Sequence, residues 1–192
     1  MTTDTTAERI VFAAIKTLLK RGMKRTSLVD VAYEAGVTRV TIYRYFGDRH
    51  GLVAAVCQHL TDIFRRAAKG NPGDSTHDID VRLERLGEEL GGLPPGNLLA
   101  LFGEIHRLYP PIYEEFRAAR DSALDQLFEQ ALAVASQERA IREGVNLQVV
   151  KGMFRALIMG LLDSAAMIAA NVPYAEICET VTTVLRHGVL KN

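Results

Sequence analysis

Two short helical patterns, separated by a single glycine, occupy residues 27–46 and constrain the fold more than any other stretch. Ser27 can cap the first, and Asp30 three residues on completes a capping-box pair. Leu28, Val31 and Ala32 form its inner face, and Ala35-Gly36-Val37 breaks it. Thr38 caps the second, which runs to about Phe46. Gly36 accepts the left-handed conformation that a sharp turn requires. Ala32 is small enough for a second helix to cross closely, and Val37 and Ile42 are the apolar residues that would bury it. The alternative is a generic helical hairpin with solvated charges.

The remainder of the chain predicts an all-α protein, because short alternating β-branched runs bounded by turns are missing. Ile10, Ala13, Ala14, Thr17 and Leu18 follow helical spacing, and Lys20-Arg21-Gly22 supplies a basic last turn and a stop. Asp48 caps a further helix over about 48–69, with Leu52, Val56, His59 or Leu60, and Ile63 as its stripe. Lys69–Ser75, with glycine and proline together, reads as a linker. Beyond it, helices are expected near 78–91, 97–109, 111–138, 146–171 and 174–188.

Composition adds one asymmetry. The 192 residues carry a formal net charge of +0. Residues 1–69 nevertheless hold 12 Lys and Arg against 6 Asp and Glu, a net +6, and residues 70–192 hold the compensating −6. A basic N-terminal third on an acidic body suits a polyanion partner. Cys57 and Cys178 stand far apart without a CxxC, so neither a disulfide framework nor a zinc site is indicated. Reduced thiols in a cytoplasmic chain are the simplest account. The N-terminus lacks the basic-then-apolar order of a signal peptide. The most apolar run, from Ala156, contains Asp163, Ser164 and Asn171 and falls short of a membrane span.

Two capped helices about a glycine turn are the pattern of a helix-turn-helix, whose second helix enters the DNA major groove. That helix would expose Arg39, Val40, Thr41, Arg44 and Tyr45. Arginine can bond guanine bidentately, and threonine offers a hydroxyl and a methyl. Tyrosine hydroxyls and Arg49 suit phosphate oxygens, which position the helix without reading sequence.

The stretch Thr26–Val56 resembles the DNA-binding domain of the TetR/AcrR family of bacterial transcriptional regulators. Thr26-Ser27, Val31-Ala32, Ala35-Gly36-Val37 and Tyr43-Arg44-Tyr45-Phe46 carry the likeness. The resemblance implies a three-helix DNA-binding domain over 1–50 and a helical effector-binding and dimerisation domain over 51–192, joined by the helix at about 48–69. It implies DNA contacts by Thr26, Ser27, Thr38, Arg39, Val40, Thr41, Tyr43, Arg44, Tyr45 and Arg49. Of these, Tyr43 and Tyr45 would touch the backbone, Arg39, Thr41 and Arg44 would face bases, and Ile42 and Phe46 would be core. The family often has glycine or alanine where Val40 stands, and usually lysine where Arg49 stands.

By the same resemblance the C-terminal part binds a small molecule and forms a homodimer. Gly152, Ala156, Gly160 and Asp163 fall on one stripe, and Ile177, Val181, Val184 and Leu185 could complete a four-helix contact with a second copy. Intramolecular packing would use the same stripe. Asp163 there calls for a partner, Arg155 or Arg186 of the second copy. For an apolar or amphipathic effector, Phe102, His106, Tyr109, Tyr113 and Phe116 share one side of their helices, and Met153, Phe154 and Leu157 could form the opposite wall. Each of these would serve equally as core, and His106 is the candidate polar anchor.

No catalytic or cofactor motif is present: no HExxH, GxSxG, phosphate-binding loop or GxGxxG after a strand. His77–Asp80 is a weak metal-like cluster that suits an acidic first turn of a helix. The expected protein is a homodimeric regulator of transcription, a repressor released from a palindromic operator by its effector. The rivals are an effector-independent architectural DNA binder and a small helical enzyme or carrier.

Overall fold

A computed structural model describes residues 5–69, 86–137 and 139–190. Among them the chain is all-α, its one β feature being an isolated antiparallel bridge between Ile141 and Leu190. In order the helices are α1 (Thr5–Arg21), α2 (Leu28–Ala35), α3 (Arg39–Phe46), α4 (Arg49–Lys69), α5 (Leu98–Leu108), α6 (Pro110–Gln137), α7 (Leu147–Leu162), α8 (Ala165–Ala169) and α9 (Tyr174–Val189). Residues 86–91 are also helical. Residues 70–85, which include most of the expected linker, the start of the helix near 78–91 and the His77–Asp80 cluster, lie outside the described residues. So do the side chains of Leu185 and Arg186.

The helix ends follow the capping chemistry of the sequence. Ser27 and Asp30 form a reciprocal capping box at the start of α2. The Thr38 side chain accepts from the Thr41 amide at the start of α3, and Asp48 Oδ1 accepts from Gly51 N at 2.8 Å in the first turn of α4. Gly22 at φ +76° ends α1, and Gly36 at φ +64° ends α2. Pro110 and Pro111 occupy the first turn of α6, where a missing N–H costs nothing. One expected helix is broken. The run 146–171 stops at Leu162, Asp163 is the C-cap of α7, and Ser164 begins the short α8. Asp and Ser side chains compete for backbone hydrogen bonds, which favours a helix end over a helix interior.

The chain divides into two compact units, residues 1–62 with 92–118 and residues 63–91 with 119–192. The division expected at residue 50 falls inside the first of these units. α5 and the first turns of α6 join the N-terminal helices because Glu104 Oε2 accepts from the Met23 amide at 2.7 Å and Gly96 lies against Leu19. Ile10, Ile15, Met23, Ile42, Leu60, Leu99 and Ile105 are fully buried in this unit. Phe102 packs on Phe116 at 4.7 Å between ring centroids.

In the second unit, Val150, Phe154, Ile158 and Leu162 form the buried stripe of α7, which packs on Ile177, Cys178 and Val181 of α9. Phe154 stacks face to face on Phe128 at 3.8 Å. Arg120 is wholly buried, with Nε donating to Asp121 Oδ1 at 2.8 Å and Nη2 lying 3.9 Å from Met159 Sδ. A buried cation of this kind is held by its partners rather than contributing stability of its own. Burial pushes both thiols, Cys57 and Cys178, up to about 12, so they remain protonated and unreactive at neutral pH.

The left-handed backbone at Gly36 makes a prediction. A Cβ there would meet nothing within 4 Å, so Gly36→Ala adds only backbone strain. Denaturant unfolding should show a loss of about 1–2 kcal/mol, largely recovered in Gly36→Asn.

Candidate nucleic-acid interface

α3 is anchored by one side chain. Ile42 is its buried residue, while Arg39, Val40, Tyr43 and Arg44 are exposed and Thr41, Tyr45 and Phe46 are half-buried. Phe46, expected in the core, therefore lies at its margin, 6.1 Å from the Tyr45 ring. At about 100° per residue, Val40 and Arg44 each lie about 160° from Ile42 and share the outward pole of the helix. Arg39 and Tyr43 fall on one flank of that pole, and Thr41 and Tyr45 on the other.

Both arginines are braced by tyrosines. The Arg39 guanidinium sits 5.8 Å from the Tyr43 ring centroid, and its Nη2 donates to Tyr43 Oη at 3.3 Å. The Arg44 guanidinium sits 5.2 Å from the Tyr45 centroid. Such stacking limits the rotamers each arginine must surrender when it meets a ligand. The Thr38 and Thr41 hydroxyls share a hydrogen bond at 3.0 Å, so Thr41 turns its methyl away from that bond.

The starts of the helices present a second set of groups. Ser27 N and Oγ both donate to Asp30 Oδ2, at 2.8 and 2.6 Å, and Arg21 pairs with Oδ1 of the same carboxylate. The hydrogen bonds from Ser27, then the Arg21 cation, hold the Asp30 carboxyl below the usual aspartate range. It stays ionised and keeps the start of α2 fixed at neutral pH.

Two residues expected at the DNA face bond within the fold. Thr26 is buried, and its hydroxyl donates to Gly22 O at 2.8 Å and Thr17 O at 3.3 Å, closing the end of α1. Arg49 is half-buried, with Nη1 donating to Thr26 O at 2.6 Å and Nη2 to the Met23 carbonyl. It joins the start of α4 to the loop before α2. Gly51 completes this junction, since a Cβ there would sit 2.0 Å from Phe46 O. The sequence reading assigned no role to Gly51, whose signal was a glycine in the first turn of a helix that has better helix formers elsewhere.

Sequence reasoning also passed over Tyr33, which is 87% exposed beside Val29 on the outer face of α2. These two and Lys16, Lys20 and Arg21 line a groove of about 360 Å³ between α1 and α2. Lys16 pairs with Glu34 across it.

The candidate effector residues separate. Phe102, Tyr113 and Phe116 are buried in the first unit. His106 is exposed, stacked on Tyr113 at 4.6 Å, and Tyr109 is half-buried against His50 at 5.8 Å. Phe154 is buried in the second unit, whereas Met153 and Leu157 are 48% and 40% exposed there. These last two lie beside Gly152, Ala156 and Gly160, all exposed, on the outer face of α7. Val149 and Val184 are exposed as well, so this unit carries an open apolar surface. Ile177 and Val181, expected at the same contact, are buried within the chain against α7. Asp163 is exposed at the end of α7, and Arg155 pairs with Asp125 of its own chain at 2.5 Å. Among the described residues no group of three or more His, Cys, Asp or Glu could hold a metal, and no helix is long and apolar enough to cross a membrane.

Comparison with known proteins agrees with this geometry. A sequence model described as "Bacterial regulatory proteins, tetR family" matches residues 10–56. The HTH-type transcriptional regulator TtgR of Pseudomonas putida is 36% identical over 183 residues, covering 89% of this chain and 77% of its own. In fold, the chain is similar to a TetR transcription regulator from Haloarcula marismortui, with a TM-score of 0.72 at 17% identity over 98% of this chain and 100% of that one. It is also similar to LfrR from Mycobacterium smegmatis, solved in complex with proflavine, with a TM-score of 0.59 at 23% identity over 97% of both chains. The chain belongs to the TetR family, which consists of DNA-binding transcriptional regulators rather than enzymes.

The two carbonyl bonds of Arg49 give it a part in the fold that a variant can separate from a phosphate contact. Arg49→Ala should lower unfolding stability by about 1–3 kcal/mol, as expected for lost bonds from a charged donor, and leave the salt dependence of DNA binding unchanged. A shallower salt slope at unchanged stability would reassign Arg49 to the phosphates.

Proposed function

We propose that this protein is a homodimeric repressor. In this reading residues 1–50 hold a palindromic operator through α3, and a small apolar or amphipathic effector bound by the body, residues 51–192, releases it. The single observation that carries the DNA-reading half is the presentation of α3. Two capped helices meet at a left-handed glycine, one isoleucine is buried, and two tyrosine-braced arginines are left facing outward. Arg44, at the outward pole, suits bidentate bonding to guanine O6 and N7. Arg39, on the flank, suits a base edge or the adjoining backbone. Tyr43, Tyr45 and the starts of α2 and α3 suit phosphate oxygens, which accept from hydroxyls and free helix N–H groups.

Dimerisation accounts for the outer face of α7. Gly152, Ala156 and Gly160 allow close backbone approach, and Met153, Leu157 and Val149 supply the apolar area that a contact between copies would bury. A two-fold axis then presents two α3 helices to two half-sites. Release follows from linkage: an effector that binds the operator-incompetent arrangement more tightly must weaken DNA binding by the same factor. α4 begins at the end of the head and runs on into the body, giving the body a covalent route to the head. The fold relative that holds proflavine gives precedent for an aromatic effector.

Arg44→Ala should cost about 1–3 kcal/mol in operator binding and relax the base preference at one position of each half-site. Fluorescence anisotropy on matched and mismatched duplexes reads both quantities. Equal loss on every duplex would remove Arg44 from base reading. Met153→Glu should convert the dimer to a monomer in sedimentation velocity while far-UV circular dichroism stays unchanged. A dimer that survives this charge would place the contact elsewhere.

A further inference from the structure

The outward pole of α3 holds one apolar side chain, and the chain itself makes little use of it. Val40 is 75% exposed, on a helix whose buried residue, Ile42, faces the opposite way. A β-branched residue is a poor helix former, and at that exposure it adds little packing in return. The polar side chains around it are braced: Arg39 bonds Tyr43, Arg44 leans on the Tyr45 ring with its donors available, and Thr41 bonds Thr38. What Val40 offers to a major groove is a pair of methyl groups at the leading surface of the helix.

Among the groups that base edges present in the major groove, the 5-methyl of thymine is the apolar one. The others are hydrogen-bond donors and acceptors, which a valine would strip of water without replacing the bond. We propose that Val40 is a specificity-determining residue that packs on a thymine 5-methyl in each half-site and disfavours cytosine there, whose N4 amine would lose its water. The proposal rests on the reading of α3 as the recognition helix. Arg44 follows Val40 by one turn, about 6 Å along the helix axis at 1.5 Å per residue. The guanine bound by Arg44 therefore lies within one or two base pairs of this thymine, at about 3.4 Å per step.

The test uses the full-length protein and the duplex it selects from a random pool. Each thymine is replaced in turn by deoxyuridine, which removes the 5-methyl and leaves every hydrogen-bonding group in place. One thymine per half-site should then show about fourfold weaker binding by the wild type, the worth of one buried methyl group. The same replacement should have no effect on Val40→Ala, which keeps the helix but withdraws the contact. Val40→Thr, which retains one γ-methyl, should show a partial loss. Val40 belongs to no buried cluster, so neither variant should lose stability, and Val40→Ala, carrying the better helix former, should unfold at the same temperature as the wild type or slightly higher. If no thymine is sensitive, or if the sensitive one stays equally sensitive in Val40→Ala, the proposal is overturned while the recognition role of α3 stands. If no duplex binds above background, the reading of α3 fails and the proposal fails with it.

Discussion

The burial of Ile42 is the contact on which the presentation of the head depends. An isolated helix of eight residues is marginal in water, because its few backbone bonds barely offset the cost of nucleation. α3 persists because Thr38 caps its start, Gly36 turns the chain immediately before it, and Ile42 fastens it to the head. One anchor per helix leaves most of the surface outward. That is the opposite of an ordinary amphipathic helix, which commits a stripe of about 100° to its core. The economy of the anchor also explains how closely its surroundings are specified. Arg49 ties the loop before α2 to the start of α4, and Gly51 lets α4 approach the Phe46 carbonyl at the far end of α3.

Electrostatics sort the residues around that anchor into two kinds. Asp30 and Glu34 on α2 are paired with Arg21 and Lys16 on α1, so these four charges hold the two helices together. Exposed pairs of this type contribute little individually and weaken with salt, and the packing beneath them carries the fold. Arg39 and Arg44 on α3 lean on aromatic rings instead. A guanidinium held over a ring keeps its donors available, which suits a ligand not yet bound. The formal charge of +6 in the first 69 residues therefore divides into cations that stabilise the head and cations displayed by it.

Much of this was legible in the sequence because it depends on local chemistry. The caps at Ser27, Thr38 and Asp48, the stops at Gly22 and Gly36, and the buried position of Ile42 each follow from residue type and spacing over a few positions. What was not legible depends on tertiary direction. Arg49 follows a basic, aromatic cluster and reads as a phosphate ligand, and only the fold shows its guanidinium turned toward the Met23 and Thr26 carbonyls. Ile177 and Val181 sit on a plausible contact stripe, and only packing shows that they face α7. The run from Asn146 to Asn171 is rich in apolar helix formers on both sides of Asp163-Ser164, which hid the helix end there. Arg120 gave one signal, a charged pair Arg120-Asp121 followed by apolar positions of α6, but nothing local distinguishes a buried arginine from a solvated one.

The central claim is that α3 is a reading surface used in two-fold symmetric pairs. Selection of bound duplexes from a randomised DNA pool, with purified full-length protein at physiological salt, tests it most directly. The account predicts an inverted repeat whose half-sites are centred about one helical turn, or about 10 base pairs, apart or a multiple of it. Bound duplexes with no repeat, or no enrichment by a folded protein, would contradict it.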